Sequence, residues 1–441
     1  MNRPTPVEIL DFTESLCPYC FQVIEAQVVS INGAVYMKKT CPNHGPMTVY
    51  LWNDREHYQW MHNFHLPFKP PKTARTTSHG CPLDCGLCSM HLRHPTLVEI
   101  EVTQKCNLKC PVCFMSAGET IPDPSLETIA GMYAAILQQT GVTTSIQLTG
   151  GEPTIRSDLP EIIRIGCAHG FSAIEINTNG IRIAQDIQYA TRLAESGASG
   201  IYLQFDGLTQ EVYQHIRGTD LLELKLRAIE HCRMAGIQVV LAMTVIWGIN
   251  HDQIGAVLDF ALQNNPIIAG VAYQVAFSSG RFALSSQRRL SMGDVISLLA
   301  EQSHGLIQTT DLLPLGCSHP LCSCATYLIK ERGKIYPFTR GMTPQEYTRD
   351  FNPYSPQGSV FADMLVKRGW QGENGLSVVV MNYMDAQTID LRRLKECSMT
   401  VTMEDGRLIP FCIYQLTSSS GKRYYPAWGR EVAAALTSGN V

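Results

Sequence analysis

The chain has 441 residues, of which 45% are apolar and 17% charged, a balance typical of a globular protein and not of a disordered one. This length accommodates two or three domains with a large buried core. The net charge of −4 gives no indication of a nucleic-acid partner. No apolar run reaches the roughly 18 residues of a membrane span, and the N-terminus is too polar for a secretory signal. We therefore expect a cytoplasmic protein, with peripheral membrane contact left open.

The first 75 residues predict a small metal-binding module. CPYC at 17–20 precedes two apolar stretches that indicate a hairpin, and CPNHG follows at 41–45. Cys17, Cys20, Cys41 and His44 form a set for one tetrahedral ion, iron or zinc, as in rubredoxin-like or zinc-ribbon modules. The proline-rich stretch LPFKPPK at 66–72 predicts a linker.

From residue 97 the pattern changes to alternating strands and helices. The segment 123–139 predicts a helix that Asp123 caps, with Pro124 in its first turn. Six short, apolar strands separated by helical segments predict parallel β/α units, as an open doubly wound sheet or as a barrel. The predicted strands are 97–103, 145–149, 173–178, 200–205, 237–245 and 270–276.

Regularity fades after about residue 300, where cysteines again mark a metal-binding module. GCSHPLCSC lies at 316–324, and Cys397 and Cys412 flank EDGRL, which predicts a hairpin turn. The predicted organisation is a metal module at 1–75, an auxiliary-cluster segment at 76–96, the β/α domain at 97–300 and a C-terminal auxiliary-cluster module at 301–441.

Sixteen cysteines are unusual for a cytosolic chain of this size, and most fall in tight groups. In a reducing compartment such groups predict metal ligands rather than disulfides. KCNLKCPVCF at 105–114 places Cys106, Cys110 and Cys113 just after the first β/α strand, where such folds build active sites. Three thiolates can hold three irons of a [4Fe–4S] cube and leave the fourth open to a ligand with an amine and a carboxylate, such as S-adenosylmethionine. A zinc site completed by a remote cysteine is the alternative, and the spacing alone does not decide between them.

Three further strand ends carry ligand-binding residue types. The second strand runs into TGGEP (149–153), the third ends in NTNG (177–180) and the fourth in QFDG (204–207). Glycines let a backbone approach a ligand closely, and Glu152 can accept a hydrogen bond from an ammonium group. Each motif alone is also a common turn. Together with the cysteines on the same rim, they favour an active site.

CNLKCPVCF, LTGGEP, INTNG and LQFDG resemble the motifs of the radical SAM superfamily in their order and spacing. The resemblance covers 97 to about 280 and implies a partial (βα)6 barrel with a [4Fe–4S] cluster on Cys106, Cys110 and Cys113. It implies that S-adenosylmethionine binds the open iron and that an electron donor such as ferredoxin or flavodoxin reduces the cluster. The resulting 5′-deoxyadenosyl radical would abstract hydrogen from an inert C–H bond. The implied cofactor-binding residues are Gly150, Gly151, Glu152, Pro153, Asn177, Asn179, Gln204 and Asp206.

The flanking motifs resemble one branch of this superfamily, which contains archaeal tetraether lipid synthases and hydroxymethylpterin methyltransferase-like proteins. That resemblance implies auxiliary [4Fe–4S] clusters and a mononuclear rubredoxin-like iron. Cys81, Cys85 and Cys88 repeat the C-x3-C-x2-C spacing and suggest a second cube whose fourth ligand is unassigned. A third set comprises Cys317, Cys322, Cys397 and Cys412, with Cys324 as a spare.

Several other residues have a plain structural interpretation. Cys167 and Cys232 fall on predicted helices and are expected in the core. The acidic residues Glu99 and Glu101 are expected to face solvent or the uncovered end of the barrel. Arg217 is either a contact for a ligand carboxylate or phosphate or an exposed residue at a helix end. The histidines expected to donate hydrogen bonds beside the clusters are His79, His91, His94 and His319.

Four functional hypotheses can be weighed against these motifs. The preferred hypothesis is a radical SAM enzyme that joins lipid alkyl chains by C–C bond formation, which needs a long apolar channel. The second is a radical methyltransferase acting on a pterin or a similar small molecule, which needs a compact polar pocket. The third is another radical SAM oxidoreductase or peptide modifier with auxiliary clusters. The fourth, a zinc scaffold without catalysis, conflicts with the strand-end motifs.

Overall fold

An antiparallel sheet of four strands begins the chain. The computed structural model describes residues 7–72, 75–115, 117, 121–282, 288–354, 360–370 and 375–425. The predicted hairpin is confirmed, and Asn32 and Gly33 form its tight turn with φ angles of 52° and 79°, as hairpins of this twist require. The elements are β1 (Val7–Leu16), β2 (Val23–Ile31), β3 (Ala34–Cys41), β4 (Gly45–Trp52) and α1 (Arg55–His62).

Six parallel strands follow, and each pairs with the next along the chain. This sequential order is that of a barrel, because a doubly wound sheet reverses its strand order. The strands are β5 (Leu97–Thr103), β6 (Ser145–Gly150), β7 (Ile174–Thr178), β8 (Gly200–Gln204), β9 (Val239–Val245) and β10 (Ile268–Val275). The intervening helices are α2 (Leu126–Thr140), α3 (Leu159–Ala168), α4 (Ile181–Gln185), α5 (Ile187–Glu195), α6 (Gln210–Arg217), α7 (Leu222–Ala235), α8 (Ile254–Gln263) and α9 (Met292–Gln302).

Strands from the C-terminal region extend both edges of this sheet. β14 (Leu376–Met381) pairs in parallel with β10, and β15 (Met399–Thr402) pairs in parallel with β5. The predicted boundary at residue 300 therefore does not separate two independent sheets. The hairpin turn predicted at EDGRL is confirmed, since β15 pairs antiparallel with the next strand. The remaining elements are β11 (Leu313–Pro314), β12 (Ser323–Glu331), β13 (Lys334–Pro337), α10 (Pro344–Asp350), α11 (Val360–Lys367), α12 (Leu391–Lys395), β16 (Leu408–Pro410) and α13 (Phe411–Tyr414).

The start of the first barrel helix differs from the prediction. α2 begins at Leu126, and its cap is Ser125, whose Oγ accepts from the backbone N–H of Thr128 at 3.1 Å. Asp123 instead accepts from Thr103 Oγ1 at 2.7 Å and from Lys105 Nζ at 3.0 Å. The acidic side chain therefore fastens the loop after β5 and does not cap the helix.

The N-terminal sheet is attached to the C-terminal region by buried polar contacts. Lys39, which is 3% exposed, donates through Nζ to Ser15 Oγ at 2.9 Å, to Leu16 O at 2.8 Å and to Ala386 O at 3.3 Å. Burial lowers the pKa of Lys39 to about 8. These bonds hold the first and last parts of the chain together beside the barrel. No helix among the described residues is both long and apolar enough to cross a membrane.

Candidate active site and metal centres

The three cysteines of the C-x3-C-x2-C motif lie on the loop after β5 and line one cavity. Burial raises the pKa of Cys106 to about 12, and Glu152 and the other two thiols add to this effect. Thiolates that repel one another at the end of a barrel need a cation between them, so the donor set fits an iron–sulfur cluster bound by three residues. Two arginines fasten the loop: Arg217 Nη1 donates to Val112 O at 3.2 Å, and Arg281 Nε donates to Cys110 O at 3.3 Å.

The two glycines of TGGEP line the cavity and also pack on the cysteine loop. A Cβ on Gly150 would lie 2.0 Å from Thr103 O, and one on Gly151 would lie 2.0 Å from Lys105 O. Gly150 also has a φ of +122°, which side chains rarely adopt. The glycines thus let the end of β6 pack directly on the cysteine loop, where Glu152 N donates to Lys105 O at 2.9 Å. Their close approach is to the loop's own backbone.

Glu152 connects two strand ends. Its Oε1 accepts from Thr154 N at 3.0 Å, from Thr154 Oγ1 at 2.6 Å and from Thr178 Oγ1 at 2.7 Å. Its Oε2 accepts from Asn179 N at 2.7 Å. The side chain is 1% exposed, yet it reaches the cavity wall. Oε2 accepts only this one hydrogen bond from the described residues. It is therefore the atom of Glu152 that can also accept from an ammonium group. Pro153, also predicted as a contact, begins the short 3-10 turn Pro153–Ile155 and is buried.

The amides predicted at the strand ends line the same cavity. Asn179 Nδ2 donates to Asn107 Oδ1 at 2.7 Å, which ties the third strand end to the cysteine loop. Asn177 Nδ2 donates to Gln147 Oε1 at 3.2 Å, and its own Oδ1 is buried without a hydrogen-bond partner. Gln204 Oε1 accepts from Lys225 Nζ at 2.8 Å. The structure therefore brings these amides together on one rim.

Asp206 is fully buried and pairs with Arg217 through both carboxylate oxygens. The distances are 2.7 Å from Nε to Oδ2 and 2.8 Å from Nη2 to Oδ1. Arg217 is thus neither an exposed helix-end residue nor free for a ligand carboxylate. Its guanidinium instead counteracts the rise that burial causes in the pKa of Cys110. The pair acts as a positioning device for the cysteine loop.

Lys225 is a site residue that the sequence analysis missed. It lies on α7, is fully buried, and donates to Asn179 O and Gln204 Oε1. Burial lowers the pKa of Lys225 to about 7, although Asp206 opposes this effect. No motif marks it, because an isolated lysine in a helix is normally exposed. Arg281, in the loop after β10, was also missed, because no motif marks it.

The cavity encloses about 400 Å³ inside the barrel. This volume lies in the range of roughly 300–1,000 Å³ that is common for small-molecule sites. The cysteine loop forms the end at the carboxyl termini of the strands. Glu99, Gln147 and Glu175 lie nearer the opposite end, and Tyr202 and Tyr383 also contribute to the wall.

The prediction that Glu99 and Glu101 face solvent is wrong. They are 3% and 1% exposed. Glu99 lines the cavity, and Glu101 lies on the same face of β5 because it is two residues further along the strand. Glu101 accepts from Tyr414 Oη at 2.7 Å and from Gln104 Nε2 at 2.5 Å. Alternation along β5 placed both carboxyls on one face, but only the position of Glu99 in the cavity wall shows that this face is interior.

Cys17, Cys20, Cys41 and His44 form a compact ligand set. Their ligand atoms all lie within 4.8 Å of one another. His44 Nδ1 is 3.5 Å from the Sγ atoms of both Cys17 and Cys41, and the Sγ atoms of Cys20 and Cys41 are 3.9 Å apart. Two sulfurs bound tetrahedrally at about 2.3 Å from zinc would be roughly 3.8 Å apart. The set therefore fits one zinc ion.

Replacing Cys41 with alanine is expected to remove about one equivalent of zinc per chain, because it leaves three of the four ligands. Zinc and iron are measured by mass spectrometry after anaerobic purification. Cys232→Ala is the matched control, since Cys232 lies on α7, is buried in the hydrophobic core and is away from the other cysteines. Iron lost in place of zinc would contradict the assignment of the metal.

Cys81, Cys85 and Cys88 lie on the segment before the barrel. Cys81 and Cys85 are hydrogen-bonded to each other, and the thiol of Cys85 also contacts Tyr425. Lys395 and Glu14 are charged neighbours of Cys81, and neither of them is a thiolate that could be the fourth ligand of a cluster. None of the sixteen cysteines forms a disulfide bond.

The C-terminal cysteines come from three separate segments. The charge of Cys322 raises the pKa of both Cys397 and Cys412. Arg393 Nη2 lies 3.3 Å from Cys322 Sγ. Ser318 and Ser398, the neighbours of Cys317 and Cys397, are joined by a 2.7 Å hydrogen bond. Cys322, Cys397 and Cys412 thus converge, with Cys317 in the adjoining loop.

Other cysteines lie away from this set. Cys324 is on β12 and buried in the main hydrophobic core, as is Cys232, while Cys167 packs partly buried against the same core. The role of Cys324 as a spare ligand therefore gains no support.

Three of the four predicted histidines stand beside a cysteine set. His91 Nε2 lies 2.8 Å from Cys397 O, and His319 Nδ1 accepts from Leu321 N at 3.2 Å within the loop that carries Cys322. His79 pairs with Asp84 at 3.5 Å, next to Cys81. His94 differs, because its Nδ1 is buried without a hydrogen-bond partner.

Two family models match the chain. The model described as the radical SAM superfamily matches residues 100–261, and the model described as the HMPTM N-terminal zinc ribbon domain matches residues 9–53. The first range covers the barrel from β5 to α8, and the second covers the sheet that carries Cys17, Cys20, Cys41 and His44. The predicted radical SAM fold with an N-terminal metal-ribbon module is confirmed.

The chain is 31% identical over 469 aligned residues to the 7,8-dihydro-6-hydroxymethylpterin dimethyltransferase of Methanocaldococcus jannaschii, across 91% of this chain and 92% of that protein. A probable GTP 3',8-cyclase of Methanothermobacter marburgensis is 31% identical over 183 residues, across 40% of this chain and 57% of the cyclase. Among solved structures, Streptococcus suis SuiB bound to S-adenosylmethionine matches with a TM-score of 0.47 and 13% identity, covering 78% of this chain and 66% of SuiB. The chain is therefore a radical SAM enzyme, and it belongs to the family that includes the dihydropterin dimethyltransferase of M. jannaschii.

Proposed function

We propose that this enzyme transfers a one-carbon group to a dihydropterin or a similar planar heterocycle. The observation that carries the proposal is the barrel cavity, which joins the three motif cysteines at one end to a polar region with two carboxyl groups, Glu99 and Glu175. Buried carboxyls are costly unless a ligand or the protein supplies donors. A heterocycle rich in N–H groups supplies them. The similarity to the M. jannaschii dimethyltransferase over nearly the full chain supports the same choice.

The lipid-joining hypothesis gains less support. A saturated chain could pack on apolar wall residues such as Val240, Val271 and Val379. It would, however, leave the carboxyl of Glu99 without a donor. The volume of about 400 Å³ is also small for two long alkyl chains beside a cofactor.

A cluster held by Cys106, Cys110 and Cys113 would, with S-adenosylmethionine bound, supply a 5′-deoxyadenosyl radical. The chain's own residues bind and orient the reactants: Asn179 and Glu152 hold the rim, and the barrel wall excludes water. For each methyl group added, one substrate C–H bond breaks and its hydrogen atom leaves with the adenosyl carbon, after which one C–C bond forms. If the methyl group arrives as a CH3⁺ equivalent from a one-carbon donor, each turnover consumes two electrons. A ferredoxin or flavodoxin is the proposed source.

The test uses the full chain, purified and reconstituted without oxygen. It is mixed with dithionite, S-adenosylmethionine and 7,8-dihydro-6-hydroxymethylpterin that carries deuterium at its carbon-bound positions. We expect faster formation of 5′-deoxyadenosine and its labelling with deuterium, read by mass spectrometry. A saturated diether lipid in detergent serves as the competing substrate. Labelling from deuterated lipid, with none from the pterin, would overturn the proposal.

The C-terminal cysteine set is proposed to hold an auxiliary [4Fe–4S] cluster. Cys412→Ala is then expected to lower the iron content by about four per chain. The loop after β5 is untouched, so formation of 5′-deoxyadenosine should continue in this variant. Iron, acid-labile sulfide and 5′-deoxyadenosine are measured in the same preparation. An unchanged iron content would show that Cys412 is an ordinary core thiol.

A further inference from the structure

A row of polar side chains crosses three neighbouring strands inside the barrel. Glu99 on β5 is the register partner of Gln147 on β6, which is the partner of Glu175 on β7. Neighbouring strands lie about 4.8 Å apart, so these three side chains are lateral neighbours. All three line the cavity. Glu99 lies four residues before Thr103, or about 13 Å along the strand from the cysteine loop at roughly 3.3 Å per residue.

The members of this row differ in how they are paired. Gln147 Nε2 donates to Glu175 Oε2 at 2.9 Å, and Gln147 Oε1 accepts from Asn177 Nδ2 at 3.2 Å. The protein itself therefore supplies a hydrogen-bond donor to the carboxyl group of Glu175. In contrast, Oε2 of Glu99 and Oδ1 of Asn177 are buried and have no hydrogen-bond partner. Two acceptor atoms are thus left for a ligand that brings donors.

No cation neutralises Glu99 from the described part of the cavity wall. The wall's two arginines are both engaged near the cysteine loop: Arg217 pairs with Asp206, and Arg281 donates to Cys110 O. Burial, reinforced by the charge of Glu101, raises the pKa of Glu99 to about 8. A carboxyl so placed lowers the stability of the protein unless a ligand compensates for it. Such an arrangement is typical of a binding group.

The open wall beside Glu99 is aromatic. Tyr383 lies against Phe411 and Phe277, with ring centroids 4.8 Å and 5.2 Å away. Tyr202 Oη accepts from Gln274 Nε2 at 2.9 Å and so stands fixed on the wall. Flat rings on the wall and acceptors at the end suit a flat ligand with N–H groups on one edge.

We propose that Glu99 binds the 2-amino-4-oxopyrimidine edge of the substrate, which presents two adjacent N–H donors, while the unpaired Oδ1 of Asn177 lies on the far side of Gln147 as a second acceptor. A carboxylate accepts two parallel N–H bonds from such an edge, as it does from a guanidinium. This inference rests on the proposed function and adds the residues that select the ring. Anchored there, the ring would turn its opposite edge toward the cysteine loop. Pterins and guanine share the recognised edge, so both are tested.

The test is equilibrium binding, measured by calorimetry on the reconstituted full-length protein without reductant. The probes are 6-hydroxymethylpterin, guanosine and 6-hydroxymethyllumazine, in which an oxygen replaces the 2-amino group. Wild type is expected to prefer the pterin over the lumazine by on the order of 100-fold, because the lumazine sets a carbonyl against the carboxylate. Glu99→Gln is expected to weaken pterin binding roughly 10- to 100-fold and to abolish that preference, since its amide can donate to the lumazine carbonyl.

Two controls show that the variant is intact. Binding of S-adenosylmethionine should be the same in Glu99→Gln and wild type, and removal of an unpaired buried carboxyl should not lower the thermal midpoint. Glu161→Gln makes the same change on the half-exposed outer helix α3 and should bind like wild type.

The outcomes separate the two proposals. Pterin binding that is unaffected by Glu99→Gln overturns this inference and leaves the proposed function standing. A wild-type protein that binds neither pterin nor guanosine contradicts the proposed function itself. Binding of guanosine alone, lost in Glu99→Gln, supports recognition of the edge by Glu99 but removes pterin as the substrate class.

Discussion

Replacing Cys110 with alanine is expected to reduce formation of 5′-deoxyadenosine to background, a loss of about a thousand-fold or more. The three cysteines after β5 act as one unit, and removal of one member of such a unit costs nearly as much as removal of all. Iron and sulfide should fall by about four per chain. Both quantities are measured anaerobically with dithionite as reductant, beside binding of S-adenosylmethionine.

The chain offers a matched control for this change. Cys167→Ala makes the same substitution on α3, where the thiol has only weak contacts of 3.9 Å and 3.8 Å with the carbonyls of Ser196 and Gly197. It should leave iron and 5′-deoxyadenosine unchanged. Substantial 5′-deoxyadenosine from Cys110→Ala would mean that this loop does not hold the catalytic cluster. Equal losses in both variants would point to general damage.

The sequence alone revealed the parts of the site that are local in the chain. The three cysteines, the end of β6 and the amide Asn179 each follow a short apolar strand. Parallel strands place their carboxyl ends on one rim, so their proximity follows from the pattern. The metal site of the N-terminal ribbon could be predicted from the sequence equally well, because a hairpin brings Cys41 back to Cys17. In both cases the ligand spacing is set by one turn or one strand pair.

The barrel interior was less accessible to sequence reasoning. Alternation shows that Glu99 and Glu101 share a face of β5, but a strand pattern does not say which face a closed sheet encloses. Acidic residues were therefore expected at the surface. In the structure, β14 extends one edge of the six-stranded sheet and β15 extends the other, and Glu99 lies in the wall of the cavity inside it. These strands come from a region whose sequence lacks β/α regularity.

Roles that depend on tertiary contacts were also missed or assigned differently. The glycines of TGGEP were expected to approach a ligand, and the structure shows a further role, because both pack on the backbone of the cysteine loop. A glycine in the sequence indicates that another group approaches the backbone closely, but it does not show which group that is. Lys225 is a comparable case, because its buried bond to Gln204 joins residues from different elements. For Arg217 the sequence left a ligand contact and an exposed helix end as alternatives, while its partner Asp206 was predicted to bind the cofactor.

Asp206→Asn is expected to lower the free energy of unfolding by about 3–5 kcal/mol, because it leaves the charge of Arg217 buried without a partner. Both side chains are nearly inaccessible, at 0% for Asp206 and 11% for Arg217. The variant should also hold less iron, since Arg217 Nη1 fixes Val112 between Cys110 and Cys113. Urea titration followed by circular dichroism measures the first effect, and iron analysis of the folded protein measures the second.

An exposed ion pair on a neighbouring helix supplies the comparison. Glu230 and Arg233 on α7 are 3.1 Å apart, with side chains 58% and 42% exposed. Glu230→Gln should change the unfolding free energy by less than about 1 kcal/mol, because solvent screens such a pair. If both variants lost the same small amount of stability, Arg217 would have to find another acceptor in the absence of Asp206. A large loss of stability with full iron content would instead show that the pair holds the barrel and not the cysteine loop.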